Sequence, residues 1–559
     1  MSSVDEASIS LLVAEEPPNE EIGACTSAQK QQTGGWKAAS FILSTELCQW
    51  IAICSITKNL VVYLKTQLLE DNVAAAAHVS TWYGTCFLTT LIGAYMADSW
   101  WGNYSTVKRF FIIYLAGMTS LTLSASLPIL KHSPLFTYLA LYMISLGSGS
   151  IKPCLTAFGA DQFDNTDTSA KASFFSWYFV SIKLGTFFVS TVIVWIQDNY
   201  GWTVGFGTPT LLAGIAFISF MAGSGYYRHC KPSGSPFTRL CQVIVAAARK
   251  HYLNVLEEND SVLYQAKGKS EIIPGNEQLE HTPEFSYCSF LDKAAIVTSS
   301  DFSNSGAVNP WRLCTMSQVE EFKSILRLLP IWATFILSSM VPTLESSVFV
   351  EQAMVMDTRF GSLNIPPASL SSFNVLAIVM FAPIYDKVIV PIVYKFTTKE
   401  GGLSHFERAG VGSLFFVLAL SSAAIVETER LQIARNEGLA HQNVAVPMSV
   451  FWQIPQYVLV GIGEVFNQIS MLDFFYDQAP DSMRSICVAL ALLTISLGSY
   501  ANSFILTVVN RATGWIPENL NEGRLDCFFW LLVGLCLVNL AVFVYCATRY
   551  RYRRSGIQC

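Results

Sequence analysis

Long apolar stretches alternate with short polar ones along almost the whole chain, and most are too long for strands or for ordinary core helices. Crossing a hydrocarbon layer about 30 Å thick at about 1.5 Å per residue takes about 20 mainly apolar residues. Twelve stretches reach that length. The first six are Lys37–Leu64, His78–Ala97, Tyr104–Leu127, Leu135–Phe158, Phe174–Gln197 and Gly205–Tyr226. The second six are Ser324–Val350, Leu370–Val393, Ala409–Val426, Met448–Phe474, Ser485–Val509 and Leu525–Tyr550. Numbered as spans 1 to 12 in chain order, they predict an all-α membrane protein.

Between spans 6 and 7 the pattern breaks into a polar segment of roughly 95 residues, Arg228 to Lys323, whose Glu257-Glu258-Asn259-Asp260-Ser261 cluster reads as loop. Ser317 and Glu320 have capping-box spacing ahead of span 7, which predicts a helix start in water. The expected organisation is therefore a disordered cytoplasmic N-terminus at 1–36, a six-helix half at 37–227, a cytoplasmic linker at 228–323, a second six-helix half at 324–550 and a basic cytoplasmic tail at 551–559. Two such halves with a long linker are the layout of the major facilitator fold, whose solute site lies at the midplane between them. No basic n-region precedes an early apolar run, so span 1 is expected to remain in the mature chain. Counted over short loops and span ends, sixteen Lys and Arg fall on the side of the termini and seven, Arg430 among them, on the other. Both termini are thus expected in the cytoplasm.

Composition narrows the function class. The 559 residues are 52% hydrophobic and 14% charged, against about 25% charged in ordinary globular chains. A net charge of −6 offers no basic surplus for nucleic acid. The cysteines lie mostly in apolar runs without metal-ligand spacing and read as small buried hydrophobes. No phosphate-binding Gly-Lys loop or nucleophile elbow is present, so neither an enzyme nor a metal or organic cofactor is expected.

Charges inside the spans point to the site. An ionisable side chain at bilayer depth costs about 2.5–3.5 kcal/mol on insertion scales, so by default it faces a cavity or a partner. Glu46, Lys152, Lys183, Glu345 and Glu464 lie in spans 1, 4, 5, 7 and 10. Spans 4 and 10 hold equivalent places in the two halves, and Lys152 and Glu464 sit at similar depth. A cation facing an anion in this way could hold a zwitterion by its carboxylate and its ammonium. The other reading is a Lys–Glu pair that closes the cytoplasmic side, and in an alternating-access protein such a pair is also a gate.

Around these residues the sequence resembles the proton-coupled oligopeptide transporter family, in its plant nitrate/peptide transporter branch. The resemblance rests on Gly93-Ala-Tyr-Met-Ala-Asp98 with Gly102, Gly149-Ser-Ile-Lys152-Pro153, Phe158-Gly-Ala-Asp161-Gln-Phe-Asp164 and Asn309-Pro-Trp-Arg-Leu-Cys314. It continues in Phe451-Trp-Gln-Ile-Pro455-Gln, Gly463-Glu464-Val-Phe, Phe474-Phe-Tyr-Asp477-Gln-Ala-Pro-Asp481 and Trp515-Ile-Pro-Glu-Asn-Leu520. The wording is closest to the di- and tripeptide subgroup. The resemblance implies alternating-access symport of peptides, with Lys152 and Glu464 binding the peptide termini and a proton as coupling ion. It suggests conformational latches at Asp98, Asp161 and Asp164, where helix capping is the alternative. From the residues themselves, Trp332 and Trp50 are read as lining the cavity, with lipid-facing or core packing as the alternative. Span 7 lacks the histidine of the family's nitrate arrangement.

Three departures follow. The family's Glu-x-x-Glu-Arg in span 1 is Glu46-Leu-Cys-Gln49-Trp50 here, its Ile-Asn-x-Gly in span 5 is Ile182-Lys183-Leu-Gly185, and its arginine after span 2 is Asn103. Lys183 is expected to replace the missing arginine as partner of Glu46, which would weaken proton coupling. Glu345 is expected either to pair with Lys58 as an outer gate or to carry a proton itself. The function expected is secondary transport of small peptides or related solutes by a monomer in the lipid bilayer, without nucleic-acid partners. The alternatives are an uncoupled facilitator of another small anion or zwitterion, and a transport-dead receptor or scaffold. Leu11-Leu12 after Asp5 and Glu6 approximates a dileucine signal for the vacuolar membrane; the plasma membrane is the other destination.

Overall fold

The protein is described from a computed structural model over residues 33–130, 133–164, 167–229, 236–252, 289–297, 301, 309–397, 403–478 and 484–550. The N-terminal segment with Leu11-Leu12, the Glu257–Ser261 cluster and the tail at 551–559 lie outside the described residues.

Each apolar stretch coincides with a helix. Spans 1 to 4 are Gly35–Gln67, Asn72–Met96, Gly102–Ser126 and Pro134–Ala160. Spans 5 to 8 are Ser169–Tyr200, Trp202–Gly225, Met316–Met354 and Pro367–Val393, and spans 9 to 12 are His405–Asn436, Val450–Gln478, Ile486–Thr513 and Leu525–Arg549. Ten of them, among the described residues, are long and apolar enough to cross a membrane. Spans 2 and 3 have the length, 25 residues each, but are less apolar and fall outside that ten.

Local chemistry explains where helices run past or break inside the apolar stretches. Span 9 continues beyond Val426 because Arg430, fully buried, is neutralised by Glu427 one turn earlier at 2.6 Å and donates to the Leu520 carbonyl at 3.1 Å. Arg430 is therefore an internal residue and not the loop cation of the charge count. Span 7 is not one continuous α-helix: it tightens into a 3-10 turn over Val341–Ser346, with Pro342 at its start. Proline lacks the N–H that would continue the α-helical ladder.

Tertiary contacts divide the chain into two units. One holds residues 25–232, 330–478 and 488–559, and with them nearly all of the twelve spans. Its backbones approach closely where side chains are small. Spans 2 and 4 cross at Gly93 and Gly149, where an added Cβ would overlap Ser150 and Thr89 respectively. The two six-helix halves meet along a hydrogen-bonded seam between spans 2 and 11, and span 5 also packs on span 8. Asn72 donates to the Pro517 and Glu518 carbonyls at 2.7 and 3.0 Å, Asn502 to Ser80 at 2.9 Å, and Ser496 to the Gly84 carbonyl at 2.8 Å. Thr81 and Ser503 are 2.9 Å apart, as are Thr85 and Tyr500. The cores interleave on the same side: Val350 and Ala368 join the first half's apolar cluster, and Ala76 and Ala77 join the second's. These contacts lie toward the face remote from the start of span 1 and the end of span 12.

The other unit holds the linker and the start of span 7. The linker is more than loop. It contains an amphipathic helix, Pro236–Arg249, whose Val243, Ala246 and Ala247 pack with Leu291, Ala295, Cys314 and Val319. Lys250 is tied to Asp301 at 2.7 Å and Lys323 to Asp292 at 2.6 Å. Span 7 opens at Met316. Its reciprocal cap is Thr315 with Gln318, whose side chains accept from each other's backbone N–H at 3.4 and 3.1 Å, two residues before the predicted Ser317 and Glu320 pair.

Candidate functional site

Helices of both halves line one cavity of about 310 Å³, several of them with regularly spaced faces. Span 1 contributes Trp50, Ile53, Cys54, Thr57 and Lys58, a run of i, i+3, i+4, i+7 and i+8 positions. Span 5 contributes Phe179, Ile182, Lys183 and Thr186, and span 10 contributes Glu464, Asn467, Gln468, Met471 and Leu472, in the same spacing. Tyr83, Cys86 and Phe87 come from span 2, Lys152 from span 4, and Ser338 to Ser346 from the broken part of span 7. The cavity therefore has walls from both halves.

Lys152, from the first half, and Glu464, from the second, both line this cavity. Among the described residues neither forms an ion pair. The Lys152 ammonium lies 4.3 Å from the Phe87 ring centroid and 4.9 Å from that of Trp50, both within cation–π range. Phe87 is a cavity residue that charge-based reading missed; its signal was the Tyr83–Phe87 aromatic pair one helical turn apart, with centroids 5.1 Å apart. Trp50 is fixed in turn by its indole N–H, which donates to Thr186 at 2.8 Å.

Lys58 and Glu345 form an ion pair at 3.1 Å between span 1 and the 3-10 turn of span 7, with side chains 12% and 7% exposed. This pair sits at the seam end of the cavity and bridges the halves.

Two expectations need correction. Lys183 is not the partner of Glu46. It lines the cavity 5.4 Å from the Phe179 ring centroid, and the carboxylates whose charge acts on it most strongly are Glu464 and Glu345. Glu46 lies wholly buried behind the cavity wall, where its neighbours are Tyr178 and Lys152, and neither carboxyl oxygen has a hydrogen-bond partner of normal geometry. Depth placed the two residues alike, but span 5 turns Tyr178, not Lys183, toward span 1. Gln49 is also fully buried, with both amide atoms unpartnered. The second correction is Trp332, which is not among the residues lining the cavity; its indole N–H donates to the Leu490 carbonyl at 2.7 Å and ties span 7 to span 11.

At the other face the three aspartates behave differently from one another. Asp164 pairs with Arg228 at 2.9 Å, and Asp161 accepts from Asn103 at 3.2 Å. Burial pushes the Asp98 carboxyl up to about 6 and raises that of Asp161, against the pull of its Asn103 hydrogen bond. None of the three is a helix N-cap, which removes the capping alternative.

Comparison with known proteins places this geometry. The family profile described as PTR2, POT family, matches residues 104–521. Protein NRT1/PTR FAMILY 8.3 of Arabidopsis thaliana is 47% identical over 550 residues, covering 94% of this chain and 93% of its own. Protein NRT1/PTR FAMILY 8.5 of the same plant is 45% identical over 584 residues, covering 98% and 97%. Among solved structures, an auto-inhibited POT family peptide transporter superposes with a TM-score of 0.72 at 21% identity, covering 93% of this chain and 99% of that one. The POT family transporter PepTSo gives 0.68 at 22%, covering 91% and 97%. The chain belongs to the POT family: it is a multi-pass membrane transporter of the major facilitator fold, and not an enzyme.

Proposed function

We propose that this protein moves small peptides or closely related zwitterions across the plasma or vacuolar membrane by alternating access, as a monomer with both termini in the cytoplasm and a proton as coupling ion. The single observation behind the solute class is the placement of Lys152 and Glu464 on opposite halves of one cavity, neither engaged in an ion pair among the described residues. A solute that joins its carboxylate to Lys152 and its ammonium to Glu464 draws the halves together, which links binding to the change of access. The coupling proton is assigned to Glu46. A buried carboxyl with no cation at ion-pair distance can shed its charge only by taking a proton, and Lys183 does not supply that cation.

A second reading, facilitated diffusion without a proton, draws on Gln49 and Trp50, which replace an acid and a cation of the family pattern. Uptake of a labelled dipeptide by proteoliposomes, with and without an inward proton gradient, separates the two. Symport requires accumulation that collapses without the gradient, and Glu46→Gln should lose at least about tenfold of gradient-driven uptake while keeping counterflow exchange. Equal uptake with and without the gradient favours the facilitator. No uptake of any peptide would leave the receptor or scaffold alternative in place of both.

A further inference from the structure

The ion pairing of the cavity does not balance. Lys58 and Glu345 satisfy each other at 3.1 Å. Among the described residues that leaves two cations, Lys152 and Lys183, and one anion, Glu464, all lining the same 310 Å³ space and none in an ion pair. The buried Glu46 does not restore the balance: it lies behind the wall, is not among the residues lining the space, and adds no charge while it holds the coupling proton assigned to it above. Lys183 has a single aromatic face near it, Phe179 at 5.4 Å, whereas Lys152 has two rings within 5 Å. Aromatic faces compensate an ammonium only in part. A neutral zwitterion bound here therefore leaves one lysine without an anionic partner, whereas a solute with one ammonium and two anionic groups leaves none.

We propose that Lys183 is a specificity residue that receives a second anionic group, so that the solutes of this protein are acidic: dipeptides with an aspartate or glutamate side chain, or amines of the same charge pattern. This deepens the reading above and rests on it, since Lys152 and Glu464 are taken to hold the two termini. The geometry of span 5 supports it. Phe179, Ile182, Lys183 and Thr186 form one face toward the cavity, so the ammonium reaches the solute space and not the lipid. Asparagine is shorter than lysine and still polar, so the cavity wall takes the exchange without overpacking.

The test compares Ala-Glu with its neutral isostere Ala-Gln at pH 7, in proteoliposome uptake and in thermal stabilisation of the purified protein, for the wild type, Lys183→Arg and Lys183→Asn. The expected result is a wild-type KM at least about tenfold lower for Ala-Glu, retained by Lys183→Arg. Lys183→Asn should abolish that preference, bringing the ratio of the two KM values to within about threefold of one. Equal handling of the two peptides by the wild type, or an equal loss of both in Lys183→Asn, would overturn the inference; the second result would make Lys183 a gate partner of Glu464. Uptake of neither peptide, with stabilisation by Ala-Glu alone and dependent on Lys183, would overturn the transport reading and uphold the charge preference. Neither uptake nor stabilisation would overturn both.

Discussion

Lys58 and Glu345 are held at 3.1 Å with little exposure on either side, so removing one partner strands the other's charge in a poorly hydrated place. Glu345→Gln should therefore cost about 3–5 kcal/mol of stability, and Lys58→Met combined with Glu345→Gln should recover most of that loss. Thermal unfolding of the single and double variants in detergent checks it; additive losses would mean that the pair carries no coupling. At this scale the sequence was informative about depth and poor about direction. Counting residues from a span end placed Lys152 and Glu464 at one level, and both line the cavity. The same counting put Lys183 beside Glu46, but each residue turns the helix by about 100°, and nothing in a single sequence fixes the rotation of span 5. Trp332 failed similarly: an indole N–H within an apolar span needs an acceptor, and the Leu490 carbonyl was as available to it as a solute.

The helices themselves were legible from apolar length, and their irregularities were legible only in part. Gly149 sits where span 4 rests on span 2, and a methyl group there would overlap the Thr89 side chain and the Cys86 carbonyl. Gly149→Ala should cost about 1–3 kcal/mol and reduce the monodisperse fraction on size-exclusion chromatography, whereas Gly214→Ala, where an added Cβ meets nothing within 4 Å, should be neutral. The Gly149-Ser-Ile-Lys152-Pro153 motif thus has a packing reason at its first residue and a charge at its fourth. The linker helix Pro236–Arg249 could have been found: Leu240, Val243 and Ala247 recur at helical spacing between basic residues. The extension of span 9 could not, because it depends on a Glu427–Arg430 pair meeting Leu520 about ninety residues later.

Across the bundle, the hydrogen bonds and shared apolar contacts between the halves gather toward one face, from Asn72 and Ser80 on span 2 to Asn502 and Ser503 on span 11. On the proposed orientation, with the termini in the cytoplasm, that face is the outer one and the conformation is closed to the outside. Thr81→Cys with Ser503→Cys should then crosslink in the resting protein and stop uptake until a reductant is added; crosslinking that leaves uptake intact would show that the seam does not open during transport. The 3-10 turn at Val341–Ser346 gives that opening a mechanical element. A 3-10 turn rises about 2.0 Å per residue and an α-helix about 1.5 Å, so rewinding these six residues would contract span 7 by about 3 Å. That stroke is as long as the Lys58–Glu345 contact itself. A single turn of backbone would then work as a ratchet pawl, engaged while extended and withdrawn on coiling.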